Sequence, residues 1–288
     1  MISGNRCLRG VESSALYAET EMILFKQKRR ARLREKPLPD DWREYIEKSW
    51  PYYHLLQDDE QKRLLGHVHV LMHEKKFEGC AGLEINDEIR ISILMQAALL
   101  ILNNPGGYFR ILRSILVYPQ DYLAPVTTRQ PDGSVSERTD HRLGESWEHG
   151  LLVLSWRDVK NDISSITDGH NVVLHEFAHQ LDSEDGRTDG LPVLADTRAL
   201  KQWQKIMMHE YRSLQEKVRR HEPDVINPYG ATNPAEFFAV ATETFFEHPL
   251  DLLTMRPVLY EQLQQFYKQD TAARFRSALG DSGYIMNM

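Results

Sequence analysis

His175-Glu176-Phe177-Ala178-His179 is the stretch of this chain whose residue types and spacing could do chemistry. On a helix, residues four apart share a face, so both imidazoles can reach one ion. Glu176 falls one residue further round, near the open side of that ion, where it can handle a bound water. Neutral imidazole suits zinc, and two His ligands leave room for a third ligand and for water. The chemistry implied is metal-assisted hydrolysis, most often of peptide bonds. The competing reading is a pair of core histidines matching the pattern by accident among the 12 His of a 288-residue chain. Against it stands the local sequence. Asn171 is a good N-cap, Val172, Val173, Leu174, Phe177, Ala178 and Leu181 favour burial, and Gly186 and Gly190 end the run.

The third ligand is not adjacent. A familiar continuation of H-E-x-x-H places Gly at 182 and a ligand at 185, but position 182 is Asp, so Asp185 ranks second. A better candidate lies in Tyr229–Ala239. Asn233 as N-cap and Pro234 at the first helical position start a helix there, with Glu236 in its first turn. That carboxylate would complete a two-His, one-Glu site of the open kind. Asn-x-x-Glu is also a capping box, in which Glu236 merely bonds the backbone at Asn233. Glu243, seven residues on, is the runner-up. His69 and His73 are also four apart, but no Glu lies between them and no third ligand is evident, so surface or core roles are favoured.

The elements that must position these groups follow from pattern. Pro37, Pro39 and Pro51 mark a junction, after which Tyr52–Lys76 reads as one helix and Phe77–Gly82 as a loop. Asp87 opens an apolar helix over Ile91–Leu102, closed by Asn103-Asn104-Pro105-Gly106-Gly107 and read as central and buried. Ile111–Pro119 has strand character, and Pro131-Asp132-Gly133-Ser134 is a turn. Leu151–Trp156 is the best strand. Either its exposed edge accepts an extended substrate by strand addition, or it is an interior strand paired on both sides.

Composition bounds the rest. With 41% hydrophobic and 27% charged residues the chain has material for a core, and no apolar run approaches the roughly 20 residues of a membrane span. A formal net charge of -7 argues against general nucleic-acid binding. Cys7 and Cys80 cannot build a disulfide framework, and Met1–Gly10 lack the apolar core of a secretory signal, which predicts a cytoplasmic protein. Residues 1–36 read as a flexible N-terminal extension and 37–288 as a single domain. Met22 could be the true start of synthesis, which the mass of the native protein would test. The basic run from Lys26 to Arg34 could grip nucleic acid or an anionic membrane, although such runs are more often a solvated helix face or a flexible arm.

Taken together, Phe77–Glu84, His175–Gly186 and Asn233–Phe246 resemble the Mlc titration factor A family of zinc-dependent peptidases, and the likeness extends over most of residues 37–270. The family's metal site is similar to that of the anthrax lethal factor catalytic domain, which has a tyrosine seven residues before its ligand glutamate, as Tyr229 stands before Glu236. The resemblance implies an α+β fold: a mostly helical, zincin-like peptidase with a small sheet beside the H-E-x-x-H helix. By it, His175, His179 and Glu236 hold one Zn2+ per chain, Glu176 is the general base, and Tyr229 stabilises the oxyanion. Val240 stands where lethal factor has another acidic residue, so support around the ligands must differ. Also implied are aminopeptidase-like activity on peptides and binding of the glucose-responsive repressor Mlc, which relieves repression of the glucose phosphotransferase system. Glu184, Asp185 or Glu243 could hold the substrate amine. No direct nucleic-acid contact and no membrane partner are expected. The alternative is a non-catalytic protein that sequesters the repressor, with a vestigial metal site.

Overall fold

The structure is a computed structural model that describes residues 21, 22, 24–120, 122–129, 135–142, 144–147 and 150–281. Cys7, the rest of residues 1–20 and the turn expected at Pro131–Ser134 lie outside the described residues. The architecture is α+β, as expected: mostly helical, with a four-stranded sheet and a separate two-stranded one among the described residues.

The sheet has four strands in the order β1 (Lys76–Gly79), β2 (Ser114–Tyr118), β6 (Leu151–Ser155) and β5 (Gly144–Trp147). Strand β2 runs parallel to β1 and β6, while β5 is antiparallel to β6. Strands β3 (Tyr122–Arg129) and β4 (Val135–Arg142) form a separate antiparallel pair. The apolar runs at Ser114–Tyr118 and Leu151–Ser155 fit the crowded interior of a sheet, where both faces are covered. Strand β6 is therefore interior, with β2 on one side and β5 on the other. Substrate addition to its edge is thereby ruled out.

Two further expectations need correction. Phe77–Gly79 is not loop but part of edge strand β1, whose partner β2 is more than thirty residues away and leaves no local hairpin signal. Gly79 permits a tight return of the chain, since a Cβ there would lie 1.8 Å from the Leu83 carbonyl oxygen. The long helix expected over Tyr52–Lys76 is two pieces, a 3-10 turn at Pro51–Leu55 and helix α3 at Asp58–Glu74. The break has a local cause. The Gln57 backbone N–H donates to Glu60 Oε2 at 3.2 Å, and Asp58, Asp59 and Glu60 suit the positive end of a new helix.

The apolar segment after Asp87 is helix α4 (Asp87–Leu100), capped by Asn86, whose side chain accepts from the Ile89 N–H at 2.9 Å. Every residue from Ile91 to Leu100 is buried. Each fully buried Leu or Ile in it stabilises by roughly 1.5–3 kcal/mol. Helix α4 packs against α2 (Asp40–Ser49), α3, α5 (Trp156–Ser164) and α6 (Val172–Asp182), and so forms the floor on which the H-E-x-x-H helix rests.

Residues 24–34, assigned by the sequence to a flexible extension, form helix α1. Its Leu33 joins the core, and Arg30 makes two hydrogen bonds to Glu74 at 2.7 and 2.9 Å. The remaining helices are α7 (Thr197–Arg219), α8 (Pro234–Glu247), α9 (Pro249–Met255), α10 (Pro257–Tyr267) and α11 (Thr271–Asp281). Among the described residues, no helix is long and apolar enough to cross a membrane.

Candidate metal centre

Helix α6 carries H-E-x-x-H, and its first turn is secured by side chains from three directions. Asn171 caps it, with Oδ1 accepting from the Leu174 N–H at 2.9 Å. Asp162 Oδ2 accepts from the Val172 N–H at 2.7 Å, and Glu243 Oε2 accepts from the Asn171 N–H at 2.7 Å. These bonds satisfy donors that a helix start leaves unpaired, and the carboxylates complement the positive end of its dipole. Asn171 Nδ2 donates to Gln96 Oε1 at 2.8 Å and to Glu247 Oε1 at 3.0 Å, tying α6 to both α4 and α8. Burial pushes the carboxyls of Asp162 and Glu247 above their ordinary range.

The far end of α6 is tied to the start of α8. Asp182 Oδ2 accepts from the Gly190 N–H at 2.8 Å, and Trp203 donates its indole hydrogen to the Gly190 carbonyl at 2.8 Å. Gly190 has φ +79, and a Cβ on it would lie 2.6 Å from the Pro234 carbonyl oxygen. A larger residue would push the loop off α8. Helix α8 begins as its sequence predicts, with Asn233 Oδ1 accepting from the Glu236 N–H at 2.9 Å and Pro234 at the first position.

With both helices fixed, three donor atoms converge. Glu236 Oε2 lies 3.0 Å from Nε2 of His175 and 3.5 Å from Nε2 of His179. The two imidazole nitrogens are 3.2 Å apart. Among the described residues, this is the group of three whose ligand atoms could hold one metal ion. The other face of His175 is braced: its Nδ1 is 2.7 Å from Glu243 Oε1. Burial disfavours charge on His175, but hydrogen bonds to Glu236 and Glu243 outweigh it and push the ring up to about 10. Burial likewise opposes charge on Glu236, yet hydrogen bonds from His175 and His179 hold its carboxyl at about 2. The cluster attracts positive charge.

Glu176 is buried, and its Oε2 has no hydrogen-bond partner among the described residues. Burial raises its carboxyl, against the opposing pull of His175 and His179. An unpartnered buried carboxylate oxygen is costly and calls for a specific explanation. Tyr229 stands in the 3-10 turn Pro228–Ala231, is 55% exposed, and has its ring centre 6.1 Å from that of His175. Its turn is anchored by Asn227, whose Oδ1 accepts from the Tyr229 N–H at 2.9 Å.

The other sequence candidates sit elsewhere. Asp185 is exposed and accepts from the Arg187 N–H at 2.9 Å. Glu184 Oε1 accepts from the Arg110 N–H at 3.2 Å. The carboxylate of Glu236 meets the histidines, so only the Asn233 half of the capping box is made. His67 is buried in the core, bonded to Tyr108 Oη at 2.6 Å, and His69 contacts the Pro37 carbonyl at 3.2 Å. Glu243, weighed as a ligand, lies instead behind the His175 ring. The spacing of Glu236, Glu243 and Glu247 along one helix was the available signal, since all three reach α6 or the residues just before it.

The sequence matches the glucose-regulated metallo-peptidase M90 family over residues 25–268. The chain belongs to that family. An uncharacterized protein of Synechocystis sp., slr2042, is 39% identical over 241 residues, covering 83% of this chain and 87% of the relative. Mlc titration factor A of Yersinia pestis and of Yersinia pseudotuberculosis are each 30% identical over 224 residues, covering 77% of this chain and 82% of the relative. Membership of a metallopeptidase family implies a metal, and the cluster of His175, His179 and Glu236 is where the described residues could hold it.

Proposed function

We propose that this M90 protein is a zinc-dependent peptidase of aminopeptidase-like specificity, with His175, His179 and Glu236 as the metal ligands. One observation carries this reading: three donors from two separate helices meet with spacings of 3.0, 3.2 and 3.5 Å. A tetrahedral zinc with ligands at about 2.0–2.1 Å spaces neighbouring donors by roughly 3.3 Å. Two imidazoles and one carboxylate are a donor set that suits zinc and leaves a position open.

When bound there, zinc supplies a Lewis acid for the scissile carbonyl and lowers the pKa of water from about 15.7 towards 7. Glu176 takes the proton from the attacking water and returns it to the leaving amine. Its buried, unpartnered carboxylate oxygen supports that role. Tyr229, a neutral donor beside His175, offers its hydroxyl to the developing oxyanion. Glu243 orients the ring of His175 and, by accepting from Nδ1, would leave Nε2, which lies beside Glu236 and His179, as the atom to hold a metal.

The relatives called Mlc titration factor A support a second role, binding of Mlc, and both roles are proposed for a cytoplasmic protein. The two roles are compatible. Elemental analysis of the full-length protein, with hydrolysis of aminoacyl model substrates, tests the enzyme. One zinc per chain and activity lost on chelation are expected. Zinc retained in Glu236→Ala at wild-type affinity would remove Glu236 from the ligand set. Repressor binding by a metal-free variant separates the two roles.

A further inference from the structure

The two histidines of helix α6 differ in what stands behind them. His175 has Glu243 at its Nδ1, whereas Nδ1 of His179 is buried and has no hydrogen-bond partner among the described residues. Three residues on, Asp182 presents the complementary group. It is fully buried, and its Oδ2 accepts from the Gly190 N–H at 2.8 Å. Its Oδ1 is buried with no hydrogen-bond partner among the described residues. Intervals of four and three residues return to one face of a helix, so His175, His179 and Asp182 lie in a single stripe. Gly190, which Asp182 holds, lies against Pro234, two residues before Glu236. The carboxylate is thus anchored where the two helices of the metal centre meet. Burial pushes the Asp182 carboxyl up to about 6, while the backbone of Gly190 and Leu191 and the ring of His179 pull it back down.

We infer that Asp182 is the positioning residue for His179, accepting from its Nδ1–H directly or through one buried water, as Glu243 serves His175. The inference rests on the proposed metal centre and adds a residue to it. A buried donor and a buried acceptor without partners are each costly, and native proteins leave few of them. Here one of each stands a single turn apart on the same helix face. Holding Gly190 does not account for the carboxylate, because a neutral amide oxygen could accept that bond equally well. A proton kept at Nδ1 leaves the lone pair of Nε2 free, and Nε2 is the atom that lies beside Glu236 and His175. An outer carboxylate on a ligand imidazole fixes its tautomer and orientation and raises the basicity of the ligand nitrogen. Each imidazole then has its own carboxylate, one reaching across from α8 and one supplied by α6 itself.

The test compares the full-length parent with Asp182→Asn and Asp182→Ala. Zinc affinity is read by competition with a chromophoric chelator, and stability from urea unfolding of the metal-free protein. In Asp182→Asn the amide oxygen can keep the Gly190 bond, but no second acceptor remains for Nδ1–H. Its zinc affinity should fall about 10–100-fold while its unfolding midpoint stays close to the parent's. Asp182→Ala loses both bonds and should fall in affinity and stability together. Nuclear magnetic resonance of the histidine rings in the zinc-loaded parent needs no variant, and a slowly exchanging Nδ1–H on His179 is expected. Should Asp182→Asn not fold, these spectra decide alone. Parent-like zinc affinity in Asp182→Asn overturns the inference, and so does a His179 Nδ1–H that exchanges as fast as that of an exposed ring. A parent that binds no zinc removes the metal centre itself, whereas a parent and an Asp182→Asn variant that bind it equally remove only the role of Asp182.

Discussion

Glu243 places one carboxylate oxygen 2.7 Å from Nδ1 of His175 and the other 2.7 Å from the backbone nitrogen of Asn171. One side chain thus sets both the orientation of an imidazole and the position of the residue that caps its helix. Loss of such an outer partner typically costs about 10–100-fold in metal affinity. Glu243→Gln should fall in that range while keeping the fold, because an amide oxygen can still accept from one donor. Competition with a chromophoric chelator would measure it. Affinity unchanged in Glu243→Gln would mean that the ring is held by packing alone.

Asn171 makes an unusual demand on its cap position. Asp and Asn are about equally good N-caps in general. Here the amide nitrogen also donates to Gln96 and Glu247, bonds that a carboxylate cannot make. Asn171→Asp should therefore destabilise the protein by about 1–3 kcal/mol at neutral pH, read from urea unfolding. A variant as stable as the parent would show that these two bonds contribute nothing net.

Two substitutions separate the proposed proton transfer from oxyanion binding. Glu176→Gln should retain zinc and lose peptide hydrolysis, and measurable turnover would reject Glu176 as base. Tyr229→Phe should retain zinc and lower kcat by about 100–1000-fold. An unchanged rate would leave Tyr229 a surface ring packed near His175.

Acid sensitivity should have a contribution from His67. Burial dominates its environment and pushes the ring from 6.5 down to about 4, despite the hydrogen bond to the Leu102 carbonyl. Between those values the unfolded chain binds the proton and the folded chain does not, so stability falls as pH drops from 6.5 toward 4 and is steady below that range for this group. His67→Asn should be less stable at pH 7 yet lose less on acidification. Urea midpoints at several pH values would show it, and parallel pH curves for the two proteins would discount His67.

How much of this was legible beforehand depended on whether the cause was local. Asn171, Asn233 and Pro234 start helices by bonds within a few residues, so both helix starts could be read directly. Helix α4 announced itself through an unbroken apolar run. Strand β1 did not, because its pairing with β2 is made across the intervening helix α4. The break before Asp58 was hidden by apolar spacing that continues across it, and only the Gln57–Glu60 bond marks the true start. In the site, the four-residue interval placed His175 and His179 side by side. The choice among Asp185, Glu236 and Glu243 was a question of how α8 crosses α6. That crossing depends on contacts such as Gly190 against Pro234, which no interval in the sequence expresses.

Helix α8 is, in effect, a rigid comb. Glu236 touches both imidazoles, Glu243 steadies one of them from behind, and Glu247 grips the Asn171 amide and the Gly169 N–H. A slide of α8 by a single residue's rise, about 1.5 Å, would disengage every tooth together. The meeting of the three candidate ligands, ring alignment and the seating of the neighbouring helix are thus geared to one mechanical coordinate.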